Sequence, residues 1–309
     1  MDPRATWKGV FPAVTTQFRP DYSVDLDATK GVIEALVRDG VSGLVICGTV
    51  GENCSLRREE KISLIEVAVS VAKGKVPIIS GLAEYTSAFG AEYAKEATKA
   101  GVDGLMVMPA MVYPAKPRET LDHFTTIAKA TDTPIMIYNN PPSYRTDVNP
   151  AMLAGLADID TIVAFKDSSG DTRRIVDVRN MTGDRFIPFC GLDDVVLESV
   201  ALGCVGWVSG MSNVFPREGE TLFRLIRDRR FDEAMAIYDW FMPILHLDAR
   251  SDLVQAIKYC EKYIGRGTDL TRAPRLGLDD AEKAELDAVM KKALATRTVL
   301  PEVGLPLAA

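Results

Sequence analysis

The sequence contains few cysteines and histidines, and this scarcity excludes several kinds of site. Among its 309 residues are 5 cysteines and 2 histidines. The cysteines are odd in number and form no Cys-x-x-Cys pair, a pattern that fits neither a disulfide framework nor a zinc knuckle. The histidines, His123 and His246, fall in amphipathic segments without a cluster of carboxylates, so no metal site is indicated. We expect the cysteines to be small apolar residues in a reducing compartment and both histidines to be structural.

Long apolar runs and basic clusters are missing as well. No stretch of about 18 apolar residues is uninterrupted, which argues against a transmembrane helix. The N-terminal residues lack the basic region and apolar core of a signal peptide. With a formal net charge of −7, a pI near 5.1 and no lysine-rich or arginine-rich face, the chain has no electrostatic attraction for nucleic acid or an anionic membrane. We expect a cytoplasmic protein that binds a small molecule.

The chain alternates short apolar runs with helix-like segments. The apolar runs number eight and lie around residues 10–17 and at residues 43–49, 76–81, 104–109, 134–139, 161–166, 186–191 and 204–210. Segments between them, such as LDATKGVIEALVRDG, have the 3.6-residue periodicity of amphipathic helices. Apolar strands that alternate with helices are typical of a parallel sheet buried on both faces. The first run lacks the Gly-x-Gly-x-x-Gly of an open dinucleotide-binding sheet, so eight such units predict an α/β fold, the (β/α)8 TIM barrel.

The strand pattern stops at about residue 215, and the remaining sequence has the periodicity of successive amphipathic helices. We therefore expect residues 1–225 to form the barrel and residues 226–309 to form a C-terminal helical region packed on it. In a TIM barrel the catalytic residues lie at the carboxyl ends of the strands and in the loops that follow, so these positions should face one mouth. They are Thr49, Val50, Gly51, Glu52, Met111, Tyr113, Tyr138, Asn139, Asn140, Lys166, Gly191, Asp193, Ser209, Gly210 and Met211.

Lys166 ends the apolar run TIVAFK, an unusual position for a lysine. The side chain either reaches solvent harmlessly, as most strand-end lysines do, or is an amine made reactive by its surroundings. A lysine amine attacks a carbonyl only when it is neutral, and an apolar environment favours the neutral form. Lys166 is therefore a candidate to form a Schiff base with a carbonyl substrate.

Two neighbouring segments supply the other groups that such a reaction needs. Tyr138 ends the preceding strand and is a candidate for proton transfer. The loop CGTVGE offers backbone amides and the hydroxyl of Thr49 to a substrate carboxylate. Each feature also has a simpler interpretation, since a strand-end tyrosine often meets water and the glycines and the Asn-Asn-Pro-Pro segment are common turn formers.

Three of these motifs together resemble those of one enzyme family. The segments CGTVGENCSL, YNNPP and FKDSSGD resemble, in order and spacing, the GTTGE loop, the YN-x-P strand end and the lysine motif of the dihydrodipicolinate synthase/N-acetylneuraminate lyase family. FPAVTTQF, ISGLAEYT and GLDD resemble its first, third and seventh strands, and the similarity covers about residues 8 to 300. The resemblance implies a TIM barrel with a helical C-terminal part that forms a lysine imine with pyruvate or another 2-oxo acid.

The resemblance also implies a role for each matched residue. Lys166 would form the imine, Tyr138 would transfer protons, and Thr49 with the amide of Val50 would bind the substrate carboxylate. It further implies a homotetramer, arranged as a dimer of dimers, that needs no cofactor. The residues expected to contact the substrate are Gly48, Thr49, Val50, Asn140, Ser209 and Gly210.

Three departures from the synthases of this family bear on the substrate. Val50 stands where they have a threonine whose hydroxyl links the catalytic tyrosine to a second tyrosine. Ala110 and Met111 replace aromatic residues, with Tyr113 displaced. Arg145 lies two places later than the arginine expected to bind the second substrate's carboxylate. With these departures the chain most resembles the members that deaminate 1-pyrroline-4-hydroxy-2-carboxylate to 2,5-dioxopentanoate and ammonia in hydroxyproline breakdown.

Other functions stay open on the sequence. A 4-hydroxy-tetrahydrodipicolinate synthase would use the same lysine and tyrosine. So would a pyruvate-dependent aldolase, or an aldolase or dehydratase of 2-keto-3-deoxy sugar acids, and the products distinguish them. A non-catalytic barrel that binds a ligand is the remaining alternative, and the presence of both Lys166 and Tyr138 argues against it.

Overall fold

The computed structural model describes residues 2–304, and eight parallel strands form its central sheet. The strands are β1 (Gly9–Pro12), β2 (Leu44–Ile46), β3 (Ile78–Leu82), β4 (Gly104–Val107), β5 (Ile135–Asn139), β6 (Ile162–Asp167), β7 (Ile187–Cys190) and β8 (Gly206–Ser209). Each strand overlaps one of the apolar runs in the sequence, because strands covered on both faces are selected for apolar residues at every position.

One short helix precedes the first strand, and the other helices follow the strands and continue beyond the last one. They are α1 (Pro3–Thr6), α2 (Leu26–Arg38), α3 (Arg58–Ala72), α4 (Ser87–Ala100), α5 (Pro117–Ala128), α6 (Pro141–Tyr144), α7 (Pro150–Ala154), α8 (Arg173–Thr182), α9 (Val196–Ala201), α10 (Pro216–Arg227), α11 (Phe231–Leu245), α12 (Leu253–Tyr263) and α13 (Asp280–Ala295). Short 3-10 helices occupy Asn53–Ser55, Asp193–Val195, Met211–Asn213 and His246–Ala249.

The sheet closes on itself into a barrel. Its strand order is β1-β8-β7-β6-β5-β4-β3-β2, and β1 pairs with β8 from Gly9 opposite Gly206 onward. The remaining gap, between β1 and β2, is spanned by a parallel bridge between Ala13 and Val45. There the amide of Val14 donates to the carbonyl of Val45 at 2.9 Å. The predicted TIM barrel is confirmed.

Aromatic side chains fill part of the barrel core. Phe11 and Phe189 pack edge to face with ring centroids 5.3 Å apart. The backbone makes room for both rings with glycine, because a Cβ at Gly43 or Gly206 would lie 2.1 Å from a ring atom of Phe11 or Phe189 respectively. The barrel interior is therefore packed rather than open, and the chemistry is restricted to the strand ends and their loops.

The C-terminal helices pack on the loops at the carboxyl ends of the strands. Lys258 of α12 donates to the carbonyl of Thr16 at 2.7 Å, and the hydroxyl of Tyr238 in α11 donates to the carbonyl of Asp194 at 2.7 Å. The domain boundary at residue 225 stays a prediction. Across residues 2–304, every helix is too short or too polar to cross a bilayer.

Candidate active site

Lys166 lies near the carboxyl end of β6 with only 6% of its surface exposed. It stands directly opposite Tyr138 of β5 in the strand pairing, and its Nζ atom lies 3.9 Å from the centroid of the Tyr138 ring. Gly191, just after β7, gives the lysine room, since a Cβ there would lie 2.8 Å from the Lys166 Cε. The amine is therefore held in one place, largely out of water, against an aromatic face.

A cavity opens beside this amine at the carboxyl ends of the strands. Its lining comprises Ala13, Thr49, Val50, Met106, Tyr138, Asn140, Ser143, Lys166, Gly191, Leu192, Val208, Gly210, Asp248 and Leu253. Six of the eight residues predicted for the site are among them. Of the other two, Ser209 is fully buried, with its hydroxyl donating to Asp193 at 3.1 Å, and Gly48 is a buried neighbour of Thr49. Their contact with substrate stays a prediction.

Two residues that the sequence left open lie outside this cavity lining. Tyr113 is 57% exposed in the loop after β4. Arg145 is exposed and directly follows α6 with a left-handed φ of 55°. The loop carries the Tyr113 side chain out to solvent, and a position of Tyr113 at the mouth stays a prediction.

Glu52 also turns away from the cavity, contrary to the expectation that it faces the mouth. Its carboxylate is fully buried and accepts a hydrogen bond from Lys258 at 3.1 Å. The backbone amide of Arg272 donates to the other carboxylate oxygen at 2.9 Å. These bonds fix the end of the loop that carries Thr49 to the C-terminal helices, so Glu52 positions the loop.

Asp193 has a similar supporting role beneath the loop after β8. Its carboxylate accepts hydrogen bonds from the Trp207 indole at 2.9 Å, the Ser209 hydroxyl at 3.1 Å and the Met211 amide at 2.7 Å. Burial raises the pKa of Asp193 well above its ordinary value, and the nearby charge of Asp248 raises it further. A carboxyl held by this many donors is a framework group that shapes the loop at Gly210.

A second tyrosine enters the site through α6. Asn140 caps this short helix by accepting a hydrogen bond from the Ser143 amide at 3.1 Å, and Pro141 occupies its first position, where no amide hydrogen is needed. The single turn returns Tyr144 to two residues of the cavity lining, Thr49 and Tyr138. Its ring packs edge to face against Tyr138 with centroids 5.5 Å apart.

The hydroxyl of Tyr144 connects the groups around the cavity. It is hydrogen-bonded to the hydroxyl of Thr49 and interacts with the hydroxyl of Tyr138. The Tyr138 hydroxyl also accepts a hydrogen bond from the side-chain amide of Asn140 at 3.1 Å. Burial, with the Tyr138 hydroxyl as a smaller cause, raises the pKa of Tyr144 well above its ordinary value. The neutral form of Tyr144 is therefore favoured, and its hydroxyl acts on both Thr49 and Tyr138 although Val50 carries no hydroxyl.

The C-terminal helical part supplies two cavity residues, Asp248 and Leu253. Asp248 lies against Gly210, where a Cβ would be 2.1 Å from its Oδ1 atom, and it accepts a hydrogen bond from the backbone amide of Asp193. Burial raises the pKa of Asp248 to about 6, against the positive charge of Lys166, which lowers it. The positive charge of Lys166 therefore favours the ionised form of Asp248. Across residues 2–304, no three His, Cys, Asp or Glu side chains cluster as a metal site.

The sequence is similar to known proteins along most of its length. The model of the dihydrodipicolinate synthetase family matches residues 6–293. A 4-hydroxy-tetrahydrodipicolinate synthase from Rhizorhabdus wittichii is 33% identical over 292 residues, covering 93% of this chain and 99% of that protein.

Solved structures share the fold of this chain over most of its length. The dihydrodipicolinate synthase of Aquifex aeolicus superposes with a TM-score of 0.89 at 28% identity, covering 92% of this chain and 97% of that one. A prophage protein of the dihydrodipicolinic acid synthase family from E. coli K12, solved with pyruvate, superposes with a TM-score of 0.88 at 25% identity, covering 93% and 99%.

Proposed function

The chain belongs to the dihydrodipicolinate synthetase family, and from this premise we propose which reaction its cavity performs. Membership makes it an enzyme, a Schiff-base lyase with a small-molecule substrate. We propose that Lys166 forms the Schiff base and that the substrate is a 2-oxo acid. The observation that carries this proposal is the buried Lys166 amine, 3.9 Å from the Tyr138 ring centroid and beside the Thr49 loop.

The proposed chemistry begins with addition of the Lys166 amine to the C2 carbonyl. Loss of water from the carbinolamine gives a protonated imine, which draws electrons from C3, so that a C3 proton leaves and an enamine forms. Tyr138 transfers the protons, because it stands opposite Lys166 in the strand pairing. The Thr49 hydroxyl and the amide of Val50 bind the substrate carboxylate.

For the second half of the reaction, condensation is the better supported candidate. In a 4-hydroxy-tetrahydrodipicolinate synthase the enamine adds to the aldehyde of aspartate semialdehyde, whose oxygen takes up a proton. The amino group of the adduct then attacks the imine carbon, which closes the ring and displaces the Lys166 amine. Relatives that match nearly the whole chain carry this name, including the protein from Rhizorhabdus wittichii. The hydroxyl connection from Thr49 through Tyr144 to Tyr138 is consistent with the proton transfers required.

A specific observation favours a second candidate, deamination of 1-pyrroline-4-hydroxy-2-carboxylate. Arg145, expected to hold the carboxylate of a second substrate, is exposed beyond the cavity. In the deamination, Lys166 attacks C2 of the cyclic imine and opens the ring by transimination. Loss of a proton from C3 and of hydroxide from C4 gives an unsaturated imine, which tautomerises to an imine at C5. One water hydrolyses the C5 imine and releases ammonia, and a second water hydrolyses the lysine imine at C2, which frees Lys166 and gives 2,5-dioxopentanoate.

Borohydride trapping tests the Schiff base. The protein is incubated with pyruvate and borohydride, and the reduced adduct is located by peptide mass spectrometry. We expect it on Lys166, with none in Lys166→Arg, because a charged guanidinium cannot form the imine. Lys262→Arg, at an exposed lysine of α12, is the control and should be trapped like the unmodified protein.

Product assays then decide the reaction. The substrates are pyruvate with aspartate semialdehyde, the hydroxyproline-derived pyrroline carboxylate, and 2-keto-3-deoxy sugar acids. Ammonia release without a second substrate would assign the deaminase, and release of pyruvate with an aldehyde would assign an aldolase. An untrapped Lys166 together with no turnover would overturn the proposal in favour of a binding protein.

We also propose that the enzyme is a cytoplasmic homotetramer. All five cysteines are free thiols and four of them are buried, which is consistent with a reducing compartment. Size-exclusion chromatography with light scattering measures the assembly directly, and a mass of one chain would contradict the tetramer.

A further inference from the structure

Asp248 is a carboxylate in the cavity for which the proposed Schiff-base chemistry has no use. It lies on the 3-10 helix between α11 and α12, and so it reaches the barrel mouth from the C-terminal helical part. Among the cavity-lining residues of the described chain, it supplies the one carboxyl group and Lys166 the one amine. A charge kept in such a confined space acts on any ligand that enters it.

The position of Asp248 is fixed from two sides. Its Oδ1 atom rests against Gly210, where even a methyl group would collide with it, and the amide of Asp193 donates to it. Asp193 is in turn held by Trp207, Ser209 and Met211. The carboxylate is thus preorganised, and it retains acceptor capacity for a group inside the cavity.

We infer that Asp248 is a specificity residue, which binds a hydroxyl or ammonium group on the part of the substrate remote from C2 and rejects a carboxylate there. This inference rests on the proposed function, because it takes the substrate to be a 2-oxo acid bound to Lys166. An ionised carboxylate accepts hydrogen bonds and donates none. It therefore binds a hydrogen-bond donor and repels a second anion. Substrates with a donor at this position gain affinity, and substrates with a carboxylate there lose it.

The location of Arg145 supports this assignment. An arginine in the lining would pair with a substrate carboxylate in a bidentate manner, but Arg145 is exposed outside it. Lys166 becomes part of a protonated imine and cannot serve as a second anchor. The charge of the lining therefore favours a substrate whose remote group donates hydrogen bonds, which both a hydroxylated chain and the amino group of an amino aldehyde would do.

The test uses four 2-oxo acids that differ only at the remote end. Pyruvate has no remote group, and 2-oxopentanoate, 5-hydroxy-2-oxopentanoate and 2-oxopentanedioate share a five-carbon chain ending in methyl, hydroxyl and carboxylate. The half-saturating concentration for borohydride trapping is measured for each. The unmodified protein should favour the hydroxyl compound over the dicarboxylate by about tenfold or more, about 1.4 kcal/mol or more.

The variant Asp248→Asn keeps the shape of the side chain and removes its charge. Its half-saturating concentration for the dicarboxylate should fall by about tenfold, and that for the hydroxyl compound should rise several-fold. The values for pyruvate and 2-oxopentanoate should stay within about twofold. Asp194→Asn is the matched control, because it removes a nearby carboxylate that pairs with His246 outside the lining, and it should preserve the ratio.

Each outcome has a separate meaning. A preference of the unmodified protein for the dicarboxylate, or an unchanged ratio in Asp248→Asn, would overturn the inference while pyruvate trapping leaves the proposed function intact. Absence of trapping with pyruvate would overturn both. The comparison among the four acids in the unmodified protein needs no variant, so it decides the matter even if Asp248→Asn fails to fold.

Discussion

The amine nitrogen of Lys166 lies 3.9 Å from the centroid of the Tyr138 ring. The Tyr138 ring therefore packs on the lysine independently of its hydroxyl. A substitution by phenylalanine removes the hydroxyl and keeps the ring. We expect Tyr138→Phe to lower turnover about 10²–10⁴-fold, as for a lost general acid-base. Borohydride trapping of pyruvate on Lys166 should still reach completion, because the ring that holds the amine remains.

Steady-state kinetics and intact-protein mass spectrometry measure these two effects on the same sample. Tyr113→Phe is the control, since it removes a hydroxyl from an exposed ring and should leave both unchanged. A loss of tenfold or less in Tyr138→Phe would reduce Tyr138 to a packing residue.

A second prediction concerns Tyr144, whose hydroxyl is hydrogen-bonded to the hydroxyl of Thr49. Tyr144→Phe keeps the edge-to-face ring contact with Tyr138 and breaks the hydroxyl connection. We expect kcat to fall by about tenfold or more with KM nearly unchanged, because a proton path is lost and the packing is not. If KM rises and kcat holds, Tyr144 binds substrate and takes no part in proton transfer.

A third prediction follows from the same connection. Val50→Thr restores the hydroxyl found in the synthases, but Tyr144 already links Thr49 to Tyr138. We therefore expect no gain in condensation of pyruvate with aspartate semialdehyde. Val50 is 5% exposed, so an unpaired hydroxyl there should cost about 1–3 kcal/mol in the free energy of unfolding. Coupled-product assays measure the condensation rate, and urea titration measures the free energy of unfolding. A tenfold rise in the condensation rate would contradict this prediction.

A fourth prediction concerns the pH dependence of stability. Burial raises the pKa of Glu261 from 4.5 to about 7, although Lys258 and Arg266 lower it. The folded state thus binds more protons than the unfolded state between these values, so stability contributed by this group is present below about pH 4.5 and is lost as pH rises towards 7. A side chain that cannot ionise should abolish that loss.

We compare the free energy of unfolding of Glu261→Gln with that of the unmodified protein at each pH. The difference should favour the variant by about 1–3 kcal/mol more at pH 8 than at pH 5. Urea titrations at both pH values test this, with the exposed Glu34→Gln as the control that should show no such difference. Glutamine can still accept the hydrogen bond that Thr15 donates to Glu261 at 2.6 Å. An equal effect at both pH values would mean that Glu261 is ionised in the folded protein throughout.

The sequence predicted the barrel and the position of Lys166 because both depend on local patterns. An apolar run of a few residues specifies a buried strand wherever it occurs, and the end of that run specifies the barrel mouth. Tyr144 was missed, yet its signal was within reach. Asn140 followed by Pro141 is a helix start, and a single turn from there returns the chain to the strand it has just left.

Asp248 had no comparable signal. The amphipathic pattern of the C-terminal sequence predicts helices and says nothing of where they dock on the barrel. The position of Asp248 depends on contacts with Gly210 and Asp193, which are distant in sequence. Glu52 was misplaced for the same reason, because its partner Lys258 belongs to α12. Long-range packing of this kind overrides the rule that strand-end residues face the mouth.

The bond between Glu52 and Lys258 joins residues that are 206 positions apart. A ribosome adds about 5–20 residues each second, so roughly 10 to 40 s pass between the emergence of the two from translation. For most of that interval β1 also waits for β8, its partner in the barrel. The growing chain therefore carries an open sheet edge until β8 has emerged and an unfinished mouth until α12 has followed it, and unpaired strand edges of this kind are prone to aggregation.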